Sequence, residues 1–154
     1  MLNLLEDIFP VTLLLIIVAS FIFIVLLPFI ASWNLFKKAG IPGYKSLIPI
    51  YNQYLILKIS GMSGLWLIII YSNLFIDLLK ETMDSKLPHY IDILFFTIYI
   101  LSLVFAIIRS YKLAKAFNRG IIFMIGLFFF PTLFEIILGI DSSKYIGEYN
   151  KKEN

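Results

Sequence analysis

Two carboxyls stand deep in apolar sequence. Asp77 falls inside the stretch 65–79 and Glu135 inside 121–138, and neither stretch holds a Lys or Arg that could neutralise it. An ionisable group in hydrocarbon is costly and is by default a functional candidate, through a bound proton or cation. If both stretches are helices running the same way across a bilayer, each carboxyl lies on the order of 20 Å above its start at about 1.5 Å per residue, so the two fall at similar depth and can meet. Asn73 precedes Asp77 by one turn on the same helical face, and Pro131 frees a backbone carbonyl one turn before Glu135. Such oxygens bind cations where helices are broken. Asn73, Asp77 and Glu135 are therefore the candidate polar site, with proton- or cation-coupled transport as its chemistry. A plainer reading stands beside it and is slightly favoured: both acids lie within about two turns of the outer interface, where a carboxyl reaches water or stays protonated beside a hydrogen-bond partner.

Other constellations carry less. Gly61-Met62-Ser63-Gly64 fits the G-x-S-G pattern of intramembrane serine proteases, but that serine needs a histidine base at matching depth, and His89, the sole histidine, is expected on the opposite side. His89 follows Pro88 in a polar loop with no second His and no Cys to complete a metal site. The absence of cysteine removes disulfides, thiolate metal sites and cysteine nucleophiles. Phe128, Phe129 and Phe130 read as lipid-facing surface. No catalytic residue, cofactor or metal is expected, and nucleic-acid binding is excluded by the placement of charge rather than its sum.

The elements that position these residues follow from composition. Of 154 residues 60% are apolar and 17% aromatic, and the mean hydropathy is +0.92, against the roughly half-apolar make-up of soluble domains. The expected fold class is all-α, a single integral membrane domain of about four transmembrane helices, since about 20 apolar residues cross the hydrocarbon core. The spans are read at 8–31, 62–79, 91–108 and 121–138, with a polar tail over 141–154 and no internal repeat. The first follows Glu6 and Asp7 with no Lys or Arg, unlike a cleaved signal peptide. Over 41–60, Pro42, Gly43 and Pro49 interrupt apolar sequence too short to span, so an interfacial or re-entrant segment is expected, with Tyr44, Tyr51 and Tyr54 at headgroup depth.

Loop charges then set orientation. Lys37, Lys38, Lys45 and Lys58 follow the first span; Arg109, Lys112, Lys115 and Arg119 follow the third; neither loop holds an acid. By the positive-inside bias these loops are cytoplasmic, and four spans place both termini outside. The same cations can bind anionic lipid headgroups, at about 1 kcal/mol for each side chain near the surface.

The first loop carries a denser pattern. Trp33, Phe36, Lys38, Ala39, Gly40, Gly43, Tyr44, Ile48, Pro49, Tyr51 and Asn52, followed later by Leu113, Ala114, Lys115 and Phe117, fall at fixed intervals. They resemble the signature of a family of small bacterial and archaeal membrane proteins of unassigned function, W-x-x-F-x-K-A-G-x-x-G-[WY]-x-x-[LI]-I-P-x-Y-N with a later L-A-K-x-F-[GN]. A similar module is fused in some bacteria ahead of a type I signal peptidase; that activity needs a Ser/Lys pair in a folded extracytoplasmic domain, which this sequence does not contain. The chain departs from the resemblance at Ile70-Tyr71-Ser72-Asn73, where an Ile-Pro-x-x-Asn is common, and in a longer charged hairpin after it. Physically, Gly40 ends a helix in the left-handed conformation, Pro42 stops it and Gly43 permits a tight reversal. Structural punctuation explains most of the pattern; the remaining reading is that Tyr51 and Asn52 line a binding site.

The functional expectation is a non-enzymatic membrane protein, an accessory, assembly or immunity-type subunit that acts through contact with another membrane protein or with its own copies. A small transporter or channel component using the intramembrane acids is the alternative, and a membrane enzyme comes third.

Overall fold

Long apolar runs become long helices here, the first of them continuing through Pro10 and Pro28, and the chain turns at Gly40, Gly61, Asn118 and Pro131. The computed structural model describes residues 2–82, 88–147 and 149. Among them all regular structure is helical: α1 Leu2–Lys38, α2 Pro49–Ile59, α3 Leu67–Thr82, α4 His89–Ala116, α5 Ile121–Phe129 and α6 Pro131–Ile140, with short 3-10 turns at Gly43–Leu47 and Gly64–Trp66. Two helical segments, Thr12–Lys38 and Tyr90–Ala116, are long and apolar enough to cross a membrane. The charged hairpin tip with Asp84 and Ser85 lies outside the described residues, as do the last residues of the tail.

Three helices stop with one local device. Gly40 at φ 76° gives its N–H to Lys37 O while Ile41 N–H returns to Phe36 O. Gly61 at φ 69° does the same with Lys58 O, and Met62 with Leu57 O. Asn118 at φ 56° bonds Lys115 O, and Arg119 N–H bonds Ala114 O. The left-handed residue reverses the chain and satisfies carbonyls that the helix end leaves open. Each device carries a lysine at the penultimate position of its helix and an aromatic ring one turn earlier, with Lys37 over Trp33, Lys58 over Tyr54 and Lys115 over Tyr111 at 5.5, 5.4 and 5.9 Å. The same short helix-stop pattern, [WY]-x-x-x-K-x-x-[GN], thus occurs at Trp33, Tyr54 and Tyr111.

The core gathers where these ends meet. Leu35 and Phe36 of α1 with Ala39 just after it, Leu55, Ile56 and Ile59 of α2, Leu113 and Ala114 of α4 with Phe117 just after it, and Leu138 of α6 form one buried cluster. A second cluster joins Leu57 and Met62 to Phe105, with Trp66 stacked on Phe105 at 5.3 Å. From there α3 and α4 run antiparallel, since Trp66 faces Phe105 and Lys80 faces Phe95.

The expected fourth span, 121–138, is not one helix. Pro131 cannot donate a backbone N–H and disfavours helical backbone in the residue before it, so Phe130 sits at φ −134°, ψ 63° and the chain folds back. The halves, 9 and 10 residues long, form an antiparallel hairpin closed by Phe123 edge-on to Phe134 at 5.1 Å and by Gly126, where an added Cβ would stand 2.1 Å from the Phe134 ring. Each half rises about 15 Å or less, half of a hydrocarbon core. The end of α6 thus returns to the ends of α1 and α4, which removes the basis for placing the C-terminal end opposite the basic loops. In the described part of the tail, Ile146 N–H bonds Ala116 O at 2.8 Å and Tyr145 Oη–H bonds Ile59 O at 3.0 Å.

Candidate functional site

Four helix C-termini, those of α1, α2, α4 and α6, converge on one end of the molecule. Each carries roughly half a negative charge from its open carbonyls, so the region needs cations. Three of the four helices carry their own in the last turn, but α6 has none. Lys38 of α1 serves it instead: its ammonium donates to Leu138 O and Asp141 O, both at 2.6 Å, and to Asp141 Oδ1 at 2.7 Å. Arg119 donates to Asp141 Oδ2, and the Ser143 N–H to Oδ1 at 2.9 Å. The Arg119 guanidinium also lies over the Phe123 ring, at 5.6 Å. Burial works against ionisation of Asp141, but the hydrogen bonds from Lys38, Ser143 and Arg119 outweigh it and hold the carboxyl well below its ordinary range.

The two acids singled out from the sequence do not meet. Glu135, 6% exposed, is paired to Arg109 of α4 at 2.8 Å. Asp77 accepts a hydrogen bond from the Tyr99 hydroxyl at 2.5 Å, with Lys80 over the same Tyr99 ring at 5.1 Å. Their partners both lie on α4, and Tyr99 and Arg109 are separated by about 15 Å along its axis. Asn73 does share the helix with Asp77, but its buried Oδ1 has no hydrogen-bond partner among the described residues. The expectation of a joint proton or cation site, with no cation in reach, is therefore corrected. Ending the third span at its first charge makes Arg109 a loop cation, but the stop signals, Asn118 and Gly120, stand further on, and α4 runs through Arg109 to Ala116.

The loop signature resolves into packing. Phe36, Ala39, Leu113, Ala114 and Phe117 are fully buried against one another's cluster, which is why the two separated parts of the pattern go together. Gly43 lies against the Trp33 indole, where a Cβ would stand 2.7 Å from the ring, and Pro49 opens α2. Tyr51 stacks on Tyr54 at 5.8 Å beneath Lys45. Tyr44 and Ile48 are exposed, whereas Asn52 is buried with its Oδ1 unpartnered among the described residues. The Leu65 N–H donates to the hydroxyl oxygen of Ser63, the candidate protease nucleophile, which thereby serves as a helix cap, and His89 opens α4. Among the described residues no His, Cys, Asp or Glu cluster could hold a metal ion.

What fold and polar cluster define is an all-α protein with helices of membrane-crossing length, tied at one end by ion pairs. Residues 44–148 match a family of unknown function, DUF5684, and the chain belongs to it. The match begins within the loop signature, so Trp33 to Gly43 lie outside it. No curated protein and no solved structure matches the chain.

Proposed function

We propose that this is a non-enzymatic integral membrane protein with three crossings, α1, α3 and α4, and a re-entrant α5–α6 hairpin, which acts by lateral contact of α1 with another membrane protein. With the basic helix ends cytoplasmic, the N-terminus lies outside and the end of α6 inside. One observation carries the reading. Leu13, Leu14, Leu15, Ile16 and Ile17 are consecutive, so they point all round the helix, and each is 47 to 63% exposed. A helix packed within its own chain buries one stripe; α1 buries none until Ala31 among its described side chains, although its far end is locked by Lys38. That anchored but uncovered segment suits an accessory, assembly or immunity-type subunit. The transport alternative loses its main support, because Asp77 and Glu135 each have a separate partner.

The test is photocrosslinking in native membranes from Leu14, Ile17 and Phe21, with Ile122 of α5 as control. A discrete protein adduct from α1, matched by a stoichiometric partner on purification, supports the reading. Lipid adducts alone from every position, or ion flux through liposomes holding only this protein, would overturn it.

A further inference from the structure

The polar cluster has an open side. A cavity of about 360 Å³ lies against it, floored by Phe117 and Ile146 and walled by Asn118, Arg119, Ser142 and Lys144. That volume is within the range of about 300–1,000 Å³ typical of ligand pockets. No carboxylate lines it. The adjacent acid, Asp141, has both oxygens engaged, Oδ1 by Lys38 and the Ser143 N–H and Oδ2 by Arg119, so its charge is already offset by two cations.

We infer that this cavity is a binding site for a phosphoryl group, carried either by an anionic lipid headgroup or by a soluble phosphate. The Arg119 side chain is fixed before any ligand arrives, tethered to Asp141 and laid over Phe123, so little side-chain entropy is lost on binding. Lys144, on the segment after α6, is exposed and free to swing onto the same anion. A planar guanidinium and a mobile ammonium from separate segments, with the Ser142 hydroxyl and Asn118 amide lining the same cavity, suit the several acceptor oxygens of a phosphoryl group. The apolar floor accepts the first carbons of an ester. Lys37, Lys58 and Lys115 stand at the same end of the molecule, and none of them pairs with an acid among the described residues, so the surrounding field favours an anion. The site does not depend on the contact made by α1.

The test uses the purified full chain in a non-ionic detergent, titrated calorimetrically with dihexanoyl phosphatidic acid, inorganic phosphate and, as the phosphate-free control, dihexanoylglycerol. Saturable binding of phosphatidic acid alone identifies a lipid source, and comparable binding of inorganic phosphate a soluble one; both support the site. Lys144→Glu and Ser142→Asp should each weaken that binding about tenfold, as expected for a reversed or added charge beside an anion. Both residues are exposed and outside the Asp141 bonds, so unfolding temperatures without ligand should match the native chain. No saturable binding of either phosphate compound, equal binding of dihexanoylglycerol, or binding untouched by both variants overturns the inference.

Discussion

Arg109 and Glu135 give the sharpest test of what holds the hairpin in place. Their contact is 2.8 Å and the side chains are 16% and 6% exposed, so neither charge can fall back on water if its partner goes. Arg109→Met strands the carboxylate, and Glu135→Gln strands the guanidinium; removing one member of a buried pair costs about 3–5 kcal/mol. Replacing both, as Arg109→Met with Glu135→Met, exchanges the pair for apolar side chains of similar length and should return to within about 1 kcal/mol of the native chain or exceed it. For a chain of this size about 1 kcal/mol corresponds to roughly 2–4 °C, so each single variant should unfold about 6 to 20 °C lower while the double variant recovers. The assay is thermal unfolding of the detergent-solubilised full chain, followed by tryptophan fluorescence, run as a double-mutant cycle. Single variants that each lose under about 1 kcal/mol, with additive losses in the double, would refute the pairing. So would a Glu135→Gln variant that loses function at unchanged stability, the behaviour of a proton carrier rather than a structural ion.

Three further outcomes follow from the geometry. Cysteines placed at Lys115 and Ser142 should be modified from the same side of the membrane, because α5 and α6 fold back on one another; modification from opposite sides would restore a straight fourth span. The depressed Asp141 value means its stabilising contribution is whole above its ordinary value of 3.8 and disappears only as pH falls through the lower folded value. The difference in unfolding temperature between the native chain and Asp141→Asn should therefore hold steady from neutral pH down to 3.8, and a gap already closed by then would contradict the assignment. Gly43→Val forces a branched side chain into the Trp33 indole, 2.7 Å from where its Cβ must go, and should cost about 1–3 kcal/mol, read as a lower yield of folded protein; normal yield would show that the loop gives way.

Helix identity was legible in the sequence because it depends on local pattern, and hairpin geometry was not because it depends on one backbone break. The long α1 and α4, and the interruption around Pro42 to Pro49, follow from apolar runs and from proline and glycine positions. Pro131 was visible too, but its effect turns on whether neighbours restore the lost bond and keep the helix straight or let it fold back. Here the ring pair Phe123–Phe134 and the ion pair Arg109–Glu135 reward folding back, and both join residues whose proximity exists only once the chain has turned. The candidate site failed for the same reason. A straight 121–138 helix puts Glu135 level with Asp77, but α6 runs the other way and the cation that pairs with Glu135 stands on α4.

The basic residues show how one sequence signal can answer to several physical causes. Counted as loop charge, Lys37, Lys38, Lys58, Arg109, Lys115 and Arg119 read as orientation alone. In the fold Arg109 neutralises a buried acid, Lys38 and Arg119 close the end of α6 through Asp141, and Lys37, Lys58 and Lys115 each cover the end of their own helix beside an aromatic ring. Orientation and architecture then demand the same charges at the same place, because a bundle that brings four helix C-termini together gathers negative dipole ends there and must gather cations with them. In the membrane arrangement proposed above, an inverted insertion would carry that whole end, ion pairs included, to the other side, so the charges that would orient the chain are the ones whose contacts fold it.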